Sequence, residues 1–242
     1  MNDTINLLNH RKSIRVFEDR QIDKETIDEI LNAAVMAPTA GNQQLYTILR
    51  ITDPEIKKQL AESCDHQPFI AEAKLVLVFC ADCLKWYNAY KAVGCEPRKP
   101  GVGDLLLAVD DALIAAQNAV IAAESFGIGS CYIGDIMENI ETQREILHLP
   151  DYVFPAALLV FGYPTDQQKT RTKPVRSPME FIVQENSYHI HSDNELQQML
   201  EPKSGERDYK EWLTAFFKRK YDSGFSREMT RSVSKALEAF DS

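Results

Sequence analysis

Hydrophobic positions along the chain alternate between two periods. From Asp23 onward, Ile27, Ile30, Leu31, Ala34 and Val35 recur three and four apart. That spacing predicts an amphipathic helix, with Asp23 as its N-cap and Pro38 just beyond its end. A polar stretch, Thr39-Ala40-Gly41-Asn42-Gln43-Gln44, then leads into a strand over 45–51. Thr52-Asp53-Pro54-Glu55 reads as a cap followed by proline at the first helical position, opening a second helix. Leu75-Val76-Leu77-Val78-Phe79 is short, continuous and apolar, which predicts a central strand. Residues 84–103 show no period and carry Tyr87, Tyr90, Gly94, Pro97, Pro100 and Gly101, so a loop or lid is expected.

Residues 104–126 are apolar nearly all round, as in a helix buried on every side in a core or a subunit interface. Asp110, Asp111, Gln117 and Asn118 interrupt the run, which argues against a membrane span. A strand or extended turn at 130–134, a helix near 138–147 and a strand near 156–163 complete the main body. Beyond Glu180 the pattern is helical, around Asp193–Leu200, 208–221 and 226–240, and Met229, Val233, Ala236, Leu237 and Phe240 form an apolar stripe. The expected organisation is a body over 1–185 and a helical extension over 186–242 that packs on the body or on a partner subunit.

Charge narrows the function classes. With a formal net charge of −9 over 242 residues, the chain lacks the cationic surplus of a nucleic-acid binder. The N-terminus has no apolar core of a secretory signal, and five cysteines, an odd number, suggest reduced thiols and a cytoplasmic setting.

Two short constellations carry candidate chemistry. Arg11-Lys12-Ser13-Ile14-Arg15 packs three cations and a hydroxyl into five residues. In extended backbone Arg11, Ser13 and Arg15 share one side, where guanidinium forks and a hydroxyl suit a phosphate. The alternative is a solvated basic N-terminus, and the cluster over 169–176 has the same two readings. Pro38 to Gln44 offers amide donor and acceptor edges and a glycine that admits close approach, as a heteroaromatic ring requires; an ordinary helix-to-strand turn is the other reading. Other signals are weaker. Cys80-Ala81-Asp82-Cys83 has redox spacing without a thioredoxin-like context. His189-x-His191 could share a strand face, but no third ligand lies at zinc spacing.

Five segments, in order, resemble the nitroreductase family of FMN-dependent NAD(P)H oxidoreductases: RKSIRVF (11–17), APTAGNQQ (37–44), HQPFIAEAKLVLVFCAD (66–82), GIGSCYIGDI (127–136) and KPVRSP (173–178). The resemblance covers about residues 8 to 185, and FFKRKYDSGFSREMTRSV (216–233) is similar to the C-terminal extension of some bacterial members. It implies an α+β fold, a mostly antiparallel sheet wrapped by helices in an intertwined homodimer, with the helix over 104–126 in the interface. It implies that Arg11, Ser13, Arg15 and Arg176, with Lys12 and Lys173, hold the FMN phosphate and ribityl, and that Gln67 meets the ribityl or the ring. Pro38, Thr39, Ala40, Gly41 and Asn42 would come from the other subunit, and Tyr132, Ile133 and Gly134 would run along the ring. The activity implied is ping-pong transfer of reducing equivalents from NAD(P)H to a small electron-poor acceptor: a nitroaromatic, a quinone or a flavin. Rival readings are a flavin-binding storage or sensor protein and a thiol redox protein using Cys80 and Cys83. Thr39 stands where the family often has serine, and Leu45-Tyr46 where it often has proline and an aromatic residue, so the acceptor is left open.

Overall fold

The computed structural model describes residues 2–241. Four strands, β1 (Tyr46–Arg50), β2 (Leu75–Asp82), β3 (Gly129–Ile133) and β4 (Val153–Gly162), form one antiparallel sheet in the order β1-β2-β4-β3. Every residue of the two central strands, β2 and β4, is buried. That requires apolar cover on both faces, and the two-residue period of a strand divides the core accordingly. Leu75, Leu77, Phe79 and Ala81, with Leu159 and Phe161 of β4, build one apolar cluster; Val76, Val78 and Cys80, with Leu158 and Val160, build the other.

Helices cover those faces. In chain order they are α1 (Asp3–His10), α2 (Lys24–Val35), α3 (Pro54–Ser63), α4 (Phe69–Glu72), α5 (Leu84–Ala92), α6 (Val102–Ser125), α7 (Ile140–Leu147), α8 (Asp166–Thr170), α9 (Asp193–Leu200), α10 (Tyr209–Lys220) and α11 (Gly224–Leu237). The caps predicted at the starts of α2 and α3 are made: Asp23 Oδ1 accepts from Thr26 N at 2.7 Å, and Asp53 Oδ1 from Glu55 N at 2.8 Å. α1, capped by Asn2, precedes the helix that the sequence pattern placed first. The expected loop over 84–103 is corrected in its first half, which is helix α5. This helix buries no residue, so its sequence lacks an apolar period to show it.

α6 departs in part from burial on every side. Ala108, Ala112, Ala115, Ala116, Ala119 and Ala123 are sealed, and small side chains let the helix lie close to α2 and the sheet. The opposite side leaves Leu106, Leu107, Leu113 and Ile114 exposed at 62%, 51%, 38% and 41%. α6 is long and apolar enough to cross a membrane by length and composition, yet its alanine face is built into the protein core.

Two glycines fix the path of the N-terminal segment. Gly129 and Gly162 are cross-strand partners on β3 and β4. A Cβ on Gly129 would fall 2.4 Å from Ile14 Cγ1, and one on Gly162 2.6 Å from Phe17 Cδ1. Their bare backbones form the slot into which Ile14 and Phe17 pack. Ile14 N donates to Ser130 O at 2.9 Å and Glu18 N to Tyr163 O at 2.8 Å, so residues 13–18 run along the sheet margin.

By contacts the chain forms two compact units, one of residues up to 171 together with 228 onward, the other of residues 172–227. The final segment, within the region expected to be one extension from 186, thus belongs with the first unit. There Ala236 and Phe240 are buried, the Phe240 ring meets Tyr152 edge-on at 5.5 Å, and Ser232 Oγ accepts from Ile140 N at 2.8 Å and donates to Met137 O at 2.7 Å. In the second unit Trp212 is buried against Phe216, with the Arg207 guanidinium 5.9 Å from its ring centre.

Candidate functional site

Because Ile14 is pinned in the glycine slot, the alternation of extended backbone turns its neighbours the other way. Arg11, Ser13 and Arg15 gather beside Cys131 on β3. Burial pushes the Cys131 thiol up, while the Arg15 charge, a bond to Ser13 and the Arg11 charge pull against it. Arg11 Nε is shielded from solvent and has no hydrogen-bond partner. A guanidinium held this way is costly unless an anion completes it, which is what a phosphate would do. Lys12, on the other side of the segment, is already engaged: its Nζ donates to the carbonyls of Lys169 at 2.6 Å and Arg171 at 2.5 Å. It therefore anchors the 169–171 turn and keeps a third N–H beyond these two bonds. Arg171 donates to Ser13 O at 2.5 Å, and sequence reasoning did not single it out for positioning Ser13.

The second constellation is held from below by a residue the sequence reading used only to exclude a membrane span. Asp111, on α6, is buried at 3% exposure. Its carboxylate accepts from Ala40 N at 2.9 Å, from Leu45 N at 3.1 Å and from the Thr39 hydroxyl; Thr39 Oγ1 in turn accepts from Gln44 N at 2.7 Å. These bonds draw residues 39–45 into a tight turn. Gly41, Asn42 and Gln44 all sit in the left-handed region, at φ 56°, 58° and 52°, which glycine and asparagine adopt most readily. The turn presents Pro38, Gly41 and Asn42 outward, exposed. Thr39 supplies the same hydroxyl that a serine would, so this departure from the family pattern keeps the network.

α5 clamps the far end of the turn. Trp86 Nε1 donates to Gln43 O at 2.7 Å and Lys85 Nζ to Tyr46 O at 2.5 Å. Asp82, buried at the end of β2, accepts from Thr47 Oγ1 at 2.6 Å and from Leu84 N at 3.0 Å, and so starts α5. Between α5 and the start of α6 lies a cavity of about 310 Å³ lined by Gln43, Trp86, Tyr87, Tyr90 and Arg98 among others. Arg98 is held by both oxygens of Asp104, at 2.5 and 2.9 Å.

The remaining candidates fall as follows. Gln67 follows a strained turn in which Asp65 and His66 are left-handed, and its side chain donates to Cys64 O at 2.7 Å. Tyr132 and Ile133 close β3, and Gly134, itself exposed, opens the turn after it. The Tyr132 hydroxyl donates to Gln117 Oε1 at 3.3 Å, and burial pushes its pKa to about 12. Lys173, half-buried, and Arg176, exposed, belong to the second unit. Cys80 and Cys83 are both sealed, and burial pushes each thiol to about 12. Burial of both thiols works against the accessible thiolate that exchange chemistry needs, so the dithiol reading gains no support here.

Residues 8–163 match the model of the nitroreductase family. The chain belongs to that family. It is 35% identical over 202 residues to an FMN reductase (NADPH) of Bacillus subtilis, covering 80% of this chain and 78% of that protein. It is 31% identical over 240 residues to an FMN reductase [NAD(P)H] of the same organism, covering 91% and 93%. Among solved structures, the NADPH:FMN oxidoreductase of Vibrio harveyi complexed with NAD+ superposes with a TM-score of 0.82 at 26% identity, covering 98% of each chain. The fold is therefore the α+β nitroreductase fold.

Proposed function

We propose that this nitroreductase-family chain is an FMN-dependent oxidoreductase that takes reducing equivalents from NAD(P)H and delivers them by a ping-pong mechanism to a small electron-poor organic acceptor. The observation that carries the reading is the Arg11/Ser13/Arg15 group, fixed on the margin of β3 with a shielded, partnerless Arg11 Nε. Two guanidinium forks and a hydroxyl fit a phosphate monoester. FMN, when bound, supplies the two-electron redox chemistry. Arg11, Ser13 and Arg15 would hold its phosphate; Tyr132 to Gly134, continuous with that cluster through the Ser13–Ser130 bridge, would lie along the ring. The kinship to NAD(P)H-using flavin reductases supports the donor.

The test is titration of apoprotein with FMN by calorimetry, wild type beside Arg15→Ala. Loss of one charge-assisted phosphate contact, about 1.5–3 kcal/mol, weakens binding roughly ten- to more than hundred-fold. Arg15→Lys should recover only part, since a point charge does not reproduce the fork. Equal affinities for wild type and Arg15→Ala would reduce the cluster to a solvated basic terminus.

The working unit in this reading is a homodimer. Leu106, Leu107, Leu113 and Ile114 fall on one face of α6 and are exposed together in the single chain, as apolar residues awaiting a partner are. A second copy covering this face, and receiving the outward Pro38–Asn42 turn, should bury more than about 2,000 Å². Sedimentation should therefore show a dimer, and a monodisperse monomer that turns over would exclude it. The aromatic cavity beside Gln43 supports a planar acceptor, and the odd number of cysteines, read as reduced thiols, supports a cytoplasmic setting.

A further inference from the structure

The second unit carries a side-chain cluster that flavin chemistry does not use. His189, His191 and Glu195 each bring one potential ligand atom to within 4.8 Å of the others, the one such group of three among the described residues. The two histidines come from an extended segment, two residues apart and so on one side of the chain. Glu195 comes from the first turn of α9, and this third donor is invisible to a search for fixed zinc spacings.

We infer that His189, His191 and Glu195 form a binding site for a divalent transition-metal ion of the Zn²⁺ class. Two imidazoles and one carboxylate are the donor set such ions favour, with a fourth position open to water. A tetrahedral ion with bonds of about 2.0–2.1 Å sets its ligand atoms about 3.4 Å apart. Side-chain adjustments on the order of an ångström would close the present group around it.

The surroundings point the same way. His191 Nε2 lies 3.0 Å from Phe181 O and, more distantly, 3.5 Å from Gln184 Nε2; the nearer carbonyl can only accept, which favours the tautomer with the proton on Nε2 and the lone pair on Nδ1. His191 Nδ1 is shielded and has no hydrogen-bond partner. A metal-bound imidazole characteristically donates its other N–H to a backbone carbonyl in this way. His189 is fixed through its backbone: Gln184 Oε1 accepts from His189 N at 2.6 Å, and Gln184 Nε2 donates to His189 O at 3.0 Å. Its ring meets that of His191 edge-on at 5.4 Å, and its Nε2 lies 3.1 Å from Glu195 Oε1. Glu195 is steadied by Ser192, whose N and Oγ each donate to Oε2 at 2.8 Å, so Oε1 is the oxygen a cation would take.

The test uses full-length, FMN-loaded protein stripped of metal and titrated with ZnCl₂ by calorimetry at pH 7.5. Wild type should bind one ion per chain with micromolar or tighter affinity. His191→Gln and Glu195→Gln should each weaken this at least tenfold, while Cys95→Ser, at the one exposed cysteine, leaves it unchanged. Electron paramagnetic resonance of wild type loaded with one equivalent of Cu²⁺ needs no variant and should show two imidazole nitrogens in the coordination plane. Unchanged Zn²⁺ affinity in both ligand variants, or a Cu²⁺ spectrum without imidazole nitrogen, would overturn the proposal. Neither readout depends on flavin turnover.

Discussion

Asp111→Ala is expected to cost about 3–5 kcal/mol of stability, because three donors, Ala40 N, Leu45 N and the Thr39 hydroxyl, lose their shared acceptor at about 1–3 kcal/mol for each group left buried and unpaired. Urea denaturation reads that loss directly. The functional effect should exceed it in kind: with the turn released, Gly41, Asn42 and Gln44 have no reason to keep three left-handed conformations within four residues. FMN-saturated turnover should fall even at temperatures where the variant is folded. Asp111→Asn restores one oxygen but turns an N–H toward existing donors, so it should recover only part of the stability. Thr39→Val should fall between wild type and Asp111→Ala, since it removes one donor to Asp111 and the acceptor for Gln44 N. An Asp111→Ala protein within about 1 kcal/mol of wild type would show that the turn is held by other means.

Asp111 also marks where the sequence stopped being legible. The apolar period around it announced a buried helix, and a carboxylate in such a helix must find donors. Nothing in the sequence says that those donors lie about seventy residues earlier, because the pairing is tertiary. Elements with a strong local signal were legible: the two strands buried on both faces, the helix starts at Asp23 and Asp53, and the bounds of α9. α5 was not, since Trp86, Tyr87 and Tyr90 contact a cavity and a neighbouring turn without burying one face. The basic segment 11–15 was legible as a candidate, while its orientation depends on Gly129 and Gly162. Their meaning as a slot appears only when the strands are paired. Lys12 shows the converse, a cation adjacent in sequence whose bonds to the carbonyls of Lys169 and Arg171 no local pattern announces.

Glu138→Gln is expected to stabilise the protein at pH 8. Glu138 follows the turn after β3 and is buried at 5% exposure. Burial first, then the negative charges of Asp135, Asp65 and Glu228, raises its carboxyl from 4.5 to about 7. A carboxyl raised in the folded state stays protonated there while the unfolded chain ionises, so folding loses stability as pH climbs from about 4.5 to about 7 and the full cost persists above. At about 1.4 kcal/mol per pH unit the ceiling is near 3 kcal/mol, and about 1–3 kcal/mol remains after relaxation of the site. Glutamine keeps the shape and carries no charge at any pH. The variant should therefore gain about 1–3 kcal/mol over wild type in urea denaturation at pH 8 and gain nothing at pH 4.5. The neighbouring carboxylates do not blur this window. Glu141, pulled to about 2 by Arg231, contributes stability that is present above its ordinary value and lost only as pH falls below it. The same residues join the last helix to the body, through Asn139 N to Glu228 Oε1 at 3.1 Å and Arg231 to Glu141 at 2.8 Å. Ionisation of Glu138 thus works against the attachment of α11. If the stability difference between wild type and Glu138→Gln is the same at pH 4.5 and pH 8, Glu138 is not the titrating group and the junction is indifferent to its charge.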